Sequence, residues 1–305
     1  MGELVAESQL IALFKDKTKT DVRPVGVGCA MRRLLTRAYC AKTRTQIIAH
    51  VRESQLGVLK GGYELGVHAM RELAKQAKEN GWVIMLLDFA NAFNTVDRNL
   101  MLRLTAAHCP ELTNLVRWLY ELEPHLVTVA GDTVRSSTGT QQGCTLSNPL
   151  FALTMQYNAK KLVINGLRVK QFYWDDTALV GTPEAVVEAV ETIRLLSGET
   201  GLHLKWKKCH LYGRPDVLTK CKTVSPGLPP NIVIHDNYDI VYLKAPIGSD
   251  KFVADWLKAK LSKLERNNNC NYAATLQARS LYLTQKLCSR MPCYVPYAGN
   301  STKAT

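Results

Sequence analysis

Apolar and polar positions alternate with two different periods along this chain, and the switches between them divide it into elements. Residues 10–14 (Leu-Ile-Ala-Leu-Phe) form a short apolar run that predicts a strand. The turn-like, basic residues 15–21 lead into a returning strand over 22–27, with Arg23-Pro24 inside it. Helical spacing covers 31–51 and 64–80, and the glycines at 57, 61 and 62 break between them. Residues 82–87 are nearly all apolar, which suits a strand buried on both faces. The helical period returns over 96–108 and 112–123, and 126–130 with 133–136 flank Gly131-Asp132 as a hairpin. Asn148-Pro149 opens a helix to about residue 163, with Pro where a first turn tolerates it. Residues 167–174 and 177–180 predict two strands with Asp175-Asp176 at the tip between them. Thr182-Pro183-Glu184 is a cap, proline and acid signature for a helix running to Gly201. Short strands are expected over 202–206, 209–213 and 240–243, and a helical, basic segment over 251–305. The centre therefore reads β-α-β-β-α-β, the ferredoxin-like order.

Composition adds the class. The 305 residues are 46% apolar and 21% charged, which excludes disorder as the main state. No apolar run approaches the roughly 20 residues that span a bilayer, and Glu3 and Glu7 precede any hydrophobic stretch. A soluble, intracellular protein without a membrane partner is the expectation. Nine cysteines, an odd number with no Cys-x-x-Cys pair, argue against a disulfide framework and against a zinc ribbon. His203 with Cys209-His210 is the best metal-like cluster among them, and a poor one.

Charge changes the picture more. The net charge of +13 favours a polyanionic partner. Residues 15–60 hold 11 Lys/Arg against three acids, and residues 251–305 hold nine against two, whereas 61–250 balances to zero. A cleft with basic walls and an acidic floor has that distribution, as a nucleic-acid channel requires; two solvated helical faces would have it as well.

The acidic floor has candidates. Asp88 ends the apolar run of residues 83–87, and Asp175 and Asp176 follow Gln171-Phe-Tyr-Trp174. Lone charges at strand ends are cheap only where they reach water or a cation. Adjacent strands would bring the two clusters together, where like charges repel unless a divalent metal neutralises them. Oxygen ligands of this kind suit Mg²⁺ or Mn²⁺ held jointly with substrate phosphates, and two such ions suit phosphoryl transfer. Taken alone, Asp175-Asp176 also reads as a simple turn pair.

Those carboxylates belong to an ordered series. It runs Leu87-Asp-Phe-Ala-Asn-Ala-Phe-Asn94, Gly139-Thr-Gln-Gln-Gly-Cys-Thr-Leu-Ser-Asn-Pro149 and Phe172-Tyr-Trp-Asp-Asp176. Gly201-Leu-His-Leu-Lys-Trp-Lys-Lys-Cys209 and Tyr242-Leu-Lys-Ala-Pro-Ile-Gly248 follow. The series resembles motifs A to E of reverse transcriptases, in the flavour of non-LTR retrotransposons and related retroelements. Arg23-Pro-Val-Gly-Val and Lys60-Gly-Gly resemble the fingers motifs, so the likeness runs from about residue 10 to 290.

The resemblance implies an α/β (α+β) right-hand polymerase fold with fingers, a ferredoxin-like palm and a truncated thumb. Residues 1–81 with part of 96–140 would be fingers, 82–250 palm, and 251–305 the start of the thumb, with 274–283 resembling its first helix. It implies RNA-directed DNA polymerisation of deoxynucleoside triphosphates on an RNA template with a DNA or RNA primer. Asp88, Asp175 and Asp176 would hold two Mg²⁺, with Mn²⁺ an alternative. Phe93 matches the aromatic steric gate under the incoming sugar, and Gln142-Gly143 the Gln-Gly pair where template or nucleotide approaches the backbone. Arg23 with Lys15 or Lys17 would grip the triphosphate, and Lys208, or equally Lys207, would stand near the pyrophosphate leaving group. Tyr173 would pack beneath the hairpin.

Two departures stand out. Trp174 fills a position that is usually Ala, Val, Leu or Met, where it would crowd the site or stack on a base, and Cys144-Thr145 replaces a common acidic-Pro pair. The competing readings are an inactive or domesticated fragment that binds nucleic acid, and an RNA-dependent RNA polymerase. The latter would place a polar or acidic residue at Phe93 and Gly at Trp174.

Overall fold

The computed structural model describes residues 6–14, 22–121, 123–224, 228–229 and 231–267. In chain order the elements are β1 (Ser8–Phe14), β2 (Val22–Gly28), α1 (Ala30–Val51), α2 (Gly62–Asn80), β3 (Val83–Leu87), α3 (Ala92–Thr95), α4 (Arg98–His108), α5 (Thr113–Tyr120), β4 (His125–Val127), β5 (Thr133–Arg135), α6 (Ser147–Lys161), β6 (Leu167–Tyr173), β7 (Asp176–Gly181), α7 (Pro183–Leu195), α8 (Ser197–Thr200), β8 (His210–Tyr212), α9 (Pro215–Val224), β9 (Val233–His235), β10 (Ile240–Tyr242), β11 (Ala245–Ile247) and α10 (Asp250–Asn267). Lys15, Lys17 and residues 274–283 lie outside the described residues.

The central sheet has the order β6-β7-β3-β8-β9. Its first four strands are all antiparallel to their neighbours and follow the connectivity β3-α-β6-β7-α-β8. This is the ferredoxin-like arrangement the pattern predicts. A strand of period 2 sends alternate residues to opposite faces, and β3 buries both. Val83, Met85 and Leu87 join the core beneath α4–α7, while Ile84 joins the core beneath α2 and the β10–β11 hairpin. That two-sided burial is why the run carries no charge until Asp88.

β6 is one edge of this sheet. Its outer side is capped near the hairpin end, where Phe172 donates its N–H to the Ser54 carbonyl at 2.8 Å and Gln55 bridges to Phe172. Further along, Lys170 Nζ donates to the carbonyls of Ala159 and Leu162.

A second sheet has the order β2-β1-β4-β5. The pairing of β1 with β4 is parallel and long-range, so no local signal announces it.

Several expected elements come out differently. Residues 202–206 form no strand. Only Leu204 bridges to Phe89, because the segment runs beside the chain after β3, with Ala90 N–H donating to His203 O and Lys205 N–H to Asp88 O. The tip of the β6–β7 hairpin is Trp174-Asp175 rather than Asp175-Asp176, since Tyr173 pairs with Asp176, which opens β7. The helix expected over 112–123 stops at Tyr120, whose carbonyl accepts from Arg98. The helix expected to reach Gly201 breaks at Leu196 into α7 and α8. The β4–β5 loop spans residues 128–132, wider than Gly131-Asp132 alone. Two short strands, β9 and β11, and helix α9 fall where no element is expected.

Candidate active site

The end of β3 sets the first carboxylate. Leu87 lies opposite Thr177 in the ladder, so the next step of the register brings Asp88 beside the start of β7. Its carbonyl accepts from Lys205 N–H at 2.8 Å, which ties the residue to the 203–205 segment.

The hairpin tip supplies the others. Trp174 has φ 55°, a left-handed value that non-glycine residues adopt at a cost. Gln55 holds it there. Its Oε1 accepts from Trp174 N–H at 2.7 Å, and its Nε2 donates to Trp174 O at 3.3 Å. The Trp174 ring lies on Gly57, where an added Cβ would stand 2.6 Å from the ring. Trp174 is not among the residues that line the cleft over this end of the sheet. Tyr173 is half-buried and meets Tyr63 edge-on at 6.2 Å.

A cavity of about 330 Å³ opens over this end of the sheet. Asp88, Asp175, Phe93, Gln142, Gly143, Arg23 and Lys208 all line it. Asp176 and Lys207 do not. Lys205, Asn91 and Cys144 line it too, unforeseen in those roles. Lys205 is drawn in by its main-chain bond to Asp88, a contact with no sequence signature.

Charge within the cleft is unbalanced. Burial, then repulsion from Asp88, raises the pKa of Asp175, and Arg23 partly offsets it. Surrounding protein, then Asp175 and Asp88, raise Asp176 to about 6, although the residue keeps solvent contact. Lys244 pulls the other way. It sits with Leu243 in the two-residue turn of the β10–β11 hairpin, both at positive φ, which aims this unanticipated lysine at the acids. Among the described residues no three His, Cys, Asp or Glu side chains close into a ready-made metal cage. The acids face one another at electrostatic range.

The far wall is built by the loop before α6. Phe93 is half-buried, stacks on Phe151 at 4.3 Å, and accepts from Thr140 N–H at 2.6 Å. Gln142 O accepts from Gly26 N–H at 2.7 Å. Gly143 has φ 103°, and a Cβ there would meet Gly26 O at 2.6 Å. The need for glycine therefore arises already within the protein, where the loop presses against β2.

Residues 14–240 match the family model of reverse transcriptase (RNA-dependent DNA polymerase). The chain belongs to the reverse transcriptase family. A search of curated proteins finds no match. Among solved structures, apo telomerase from Candida tropicalis is 10% identical, with a TM-score of 0.51 over 70% of this chain and 45% of that one. Telomerase from Candida albicans in complex with a fragment of telomeric RNA is 11% identical, with a TM-score of 0.48 over 93% of this chain and 53% of that one. This reverse transcriptase chain thus spans about half the length of those proteins. The likeness to the first is one of fold, the right-hand polymerase fold. In this reverse transcriptase, no helix among the described residues is long and apolar enough to cross a membrane.

Proposed function

We propose that this chain is an RNA-directed DNA polymerase of a retroelement, with residues 1–81 and part of 96–140 as fingers, 82–250 as palm and 251–305 opening the thumb. The observation that carries the reading is the meeting, in one cleft at the end of an antiparallel sheet, of Asp88 and Asp175 with Arg23, Phe93 and Lys208. Its partners would be an RNA template, a DNA or RNA primer and deoxynucleoside triphosphates.

The donor set fits divalent Mg²⁺ or Mn²⁺. Beyond the effect of burial, Asp88 raises the proton affinity of Asp175 and Asp176, a repulsion that divalent charge would relieve, and hard oxygen donors of this kind share such ions with substrate phosphates. When bound by Asp88, Asp175 and Asp176, such ions supply charge that favours attack by a primer 3′-oxygen and departure of pyrophosphate. The chain's own residues do the rest. Arg23, with Lys15 or Lys17, binds the triphosphate, and Lys208 or Lys205 faces the leaving group. Phe93, held against Phe151, presents its ring to the sugar and excludes a 2′-hydroxyl. Gln142 and Gly143, fixed to β2, shape the wall along which nucleotide and template lie.

Primer extension on an RNA template with Mg²⁺ tests this. Asp88→Asn or Asp175→Asn should lower the rate by orders of magnitude while nucleic-acid binding persists. Phe93→Val should raise kcat/KM for ribonucleotides relative to deoxynucleotides. Wild-type chain that binds template-primer yet extends nothing would overturn the reading in favour of a binding fragment.

A further inference from the structure

Arg98 is a buried cation with no direct ion pair among the described residues, the nearest acidic influence being Glu123 at electrostatic range. It is 8% exposed, at the start of α4. Its guanidinium instead donates to five oxygens. Nε reaches Gly139 O at 2.9 Å, Nη1 reaches Tyr120 O at 3.1 Å and Ser136 O, and Nη2 reaches Ser136 Oγ at 2.7 Å and Thr138 O at 3.1 Å. Its charge also lies 5.2 Å from the centre of the Tyr120 ring. Burying a charge this way is costly, and an apolar side chain of the same volume stabilises a core as well or better. The fork geometry of arginine answers a different need, which is to fix several carbonyls at once.

Four of those bonds fall on residues 136–139, just before the cleft wall. The same stretch is sewn to the segment that carries Phe93. Thr138 Oγ1 donates to Asn94 O at 2.9 Å, Gly139 N–H to Val96 O at 2.9 Å, and Thr140 N–H to Phe93 O at 2.6 Å. Beyond it, Gln141 O accepts from Ser147 Oγ in α6, the helix whose Phe151 stacks on Phe93. Phe93 and Gln142-Gly143 are therefore two sides of one closed circuit, and Arg98 pins the stretch that joins them.

We infer that Arg98 is a positioning residue for sugar selection. By clamping residues 136–139 it fixes the distance between the Phe93 ring and the Gln142-Gly143 wall, and so the space left for a 2′-hydroxyl. The inference rests on the polymerase reading for its substrate, while its mechanical half stands without it.

Two measurements on Arg98→Lys test it, since lysine keeps the charge and loses the fork. In the free protein, amide hydrogen exchange at Gly139 and Thr140 should quicken about tenfold with α6 unchanged. In single-nucleotide extension, the preference for deoxynucleotides in kcat/KM should fall about fivefold. Leu112→Ala, a fully buried core truncation, controls for lost stability alone and should leave that preference intact. Should Arg98→Lys not fold, Ser136→Ala removes one acceptor and should move both readouts the same way by less. Unchanged exchange, unchanged preference, or an equal loss of preference in Leu112→Ala overturns the inference. If the wild-type chain extends no primer, the polymerase reading fails and the exchange measurement alone decides the clamp.

Discussion

Asp176 carries a proton at pH values where an ordinary aspartate has lost it. Its pKa is about 6 in the folded chain against an unperturbed 3.8. Between those values the native state holds more protons than the unfolded state, so stability falls as pH rises through the window. Asp176→Asn should therefore stabilise the metal-free protein at pH 7.5. After discounting for the residue's solvent contact we expect about 1 kcal/mol. At pH 4 the gain should vanish. Thermal unfolding at the two pH values in chelator checks this, and equal stability of variant and wild type at pH 7.5 would contradict it. Added Mg²⁺ should reverse the order, because the wild-type carboxylate gains a counter-charge that Asn cannot offer. At this scale the sequence was legible where charge met apolar context. Asp88 and the Asp175-Asp176 pair stood out against the strands that carry them. Lys205 and Lys244 did not, for one is drawn in by a main-chain bond and the other by a turn of paired positive φ values.

Among the elements, the β6–β7 hairpin shows how a local residue choice is settled by a distant one. Trp174 is tolerated at the tip because Gly57, more than a hundred residues earlier, leaves room for its ring. Gly57→Ala should drive a methyl group into that ring and cost about 1–3 kcal/mol, the range for overpacking. It should also displace Asp175, so extension would slow by more than the loss of folded protein accounts for. Titrating unfolding by urea and assaying the folded fraction separates the two effects, and unaltered stability would mean that the ring has freedom to move. The strand and helix periods legible in the sequence are those backed by burial, as in β3, α1 and α2. Those it misplaced depend on partners far along the chain. Residues 202–206 have a strand's composition and lie beside the chain after β3 without pairing as a strand, while β9 becomes a strand only because β8 offers an edge. A short run has no period to read.

Across the whole molecule, charge is what remains unspent. Arg33, Arg37 and Arg44 are exposed on α1 at helical spacing, and no ion pair among the described residues includes them. If they neutralise phosphates, log K for a template-primer duplex should fall with log salt at about −0.9 per contact. Changing all three to Gln should flatten that slope by up to about 2.7, and a slope that does not change would assign them to solvent. The basic N-terminal stretch was legible as charge, but its arrangement as a stripe needed the helix. The cap on β6 has a consequence of another kind. Ser54 and Gln55 occupy the outer side of that strand at its hairpin end, and Lys170 and exposed Arg168 guard the remainder. Lifting the 54–55 segment would bare the hairpin end of that strand, unpaired backbone that can serve as a template on which the sheets of two molecules can join. The contact that steadies the hairpin is thus also what keeps neighbouring copies from aggregating through this edge.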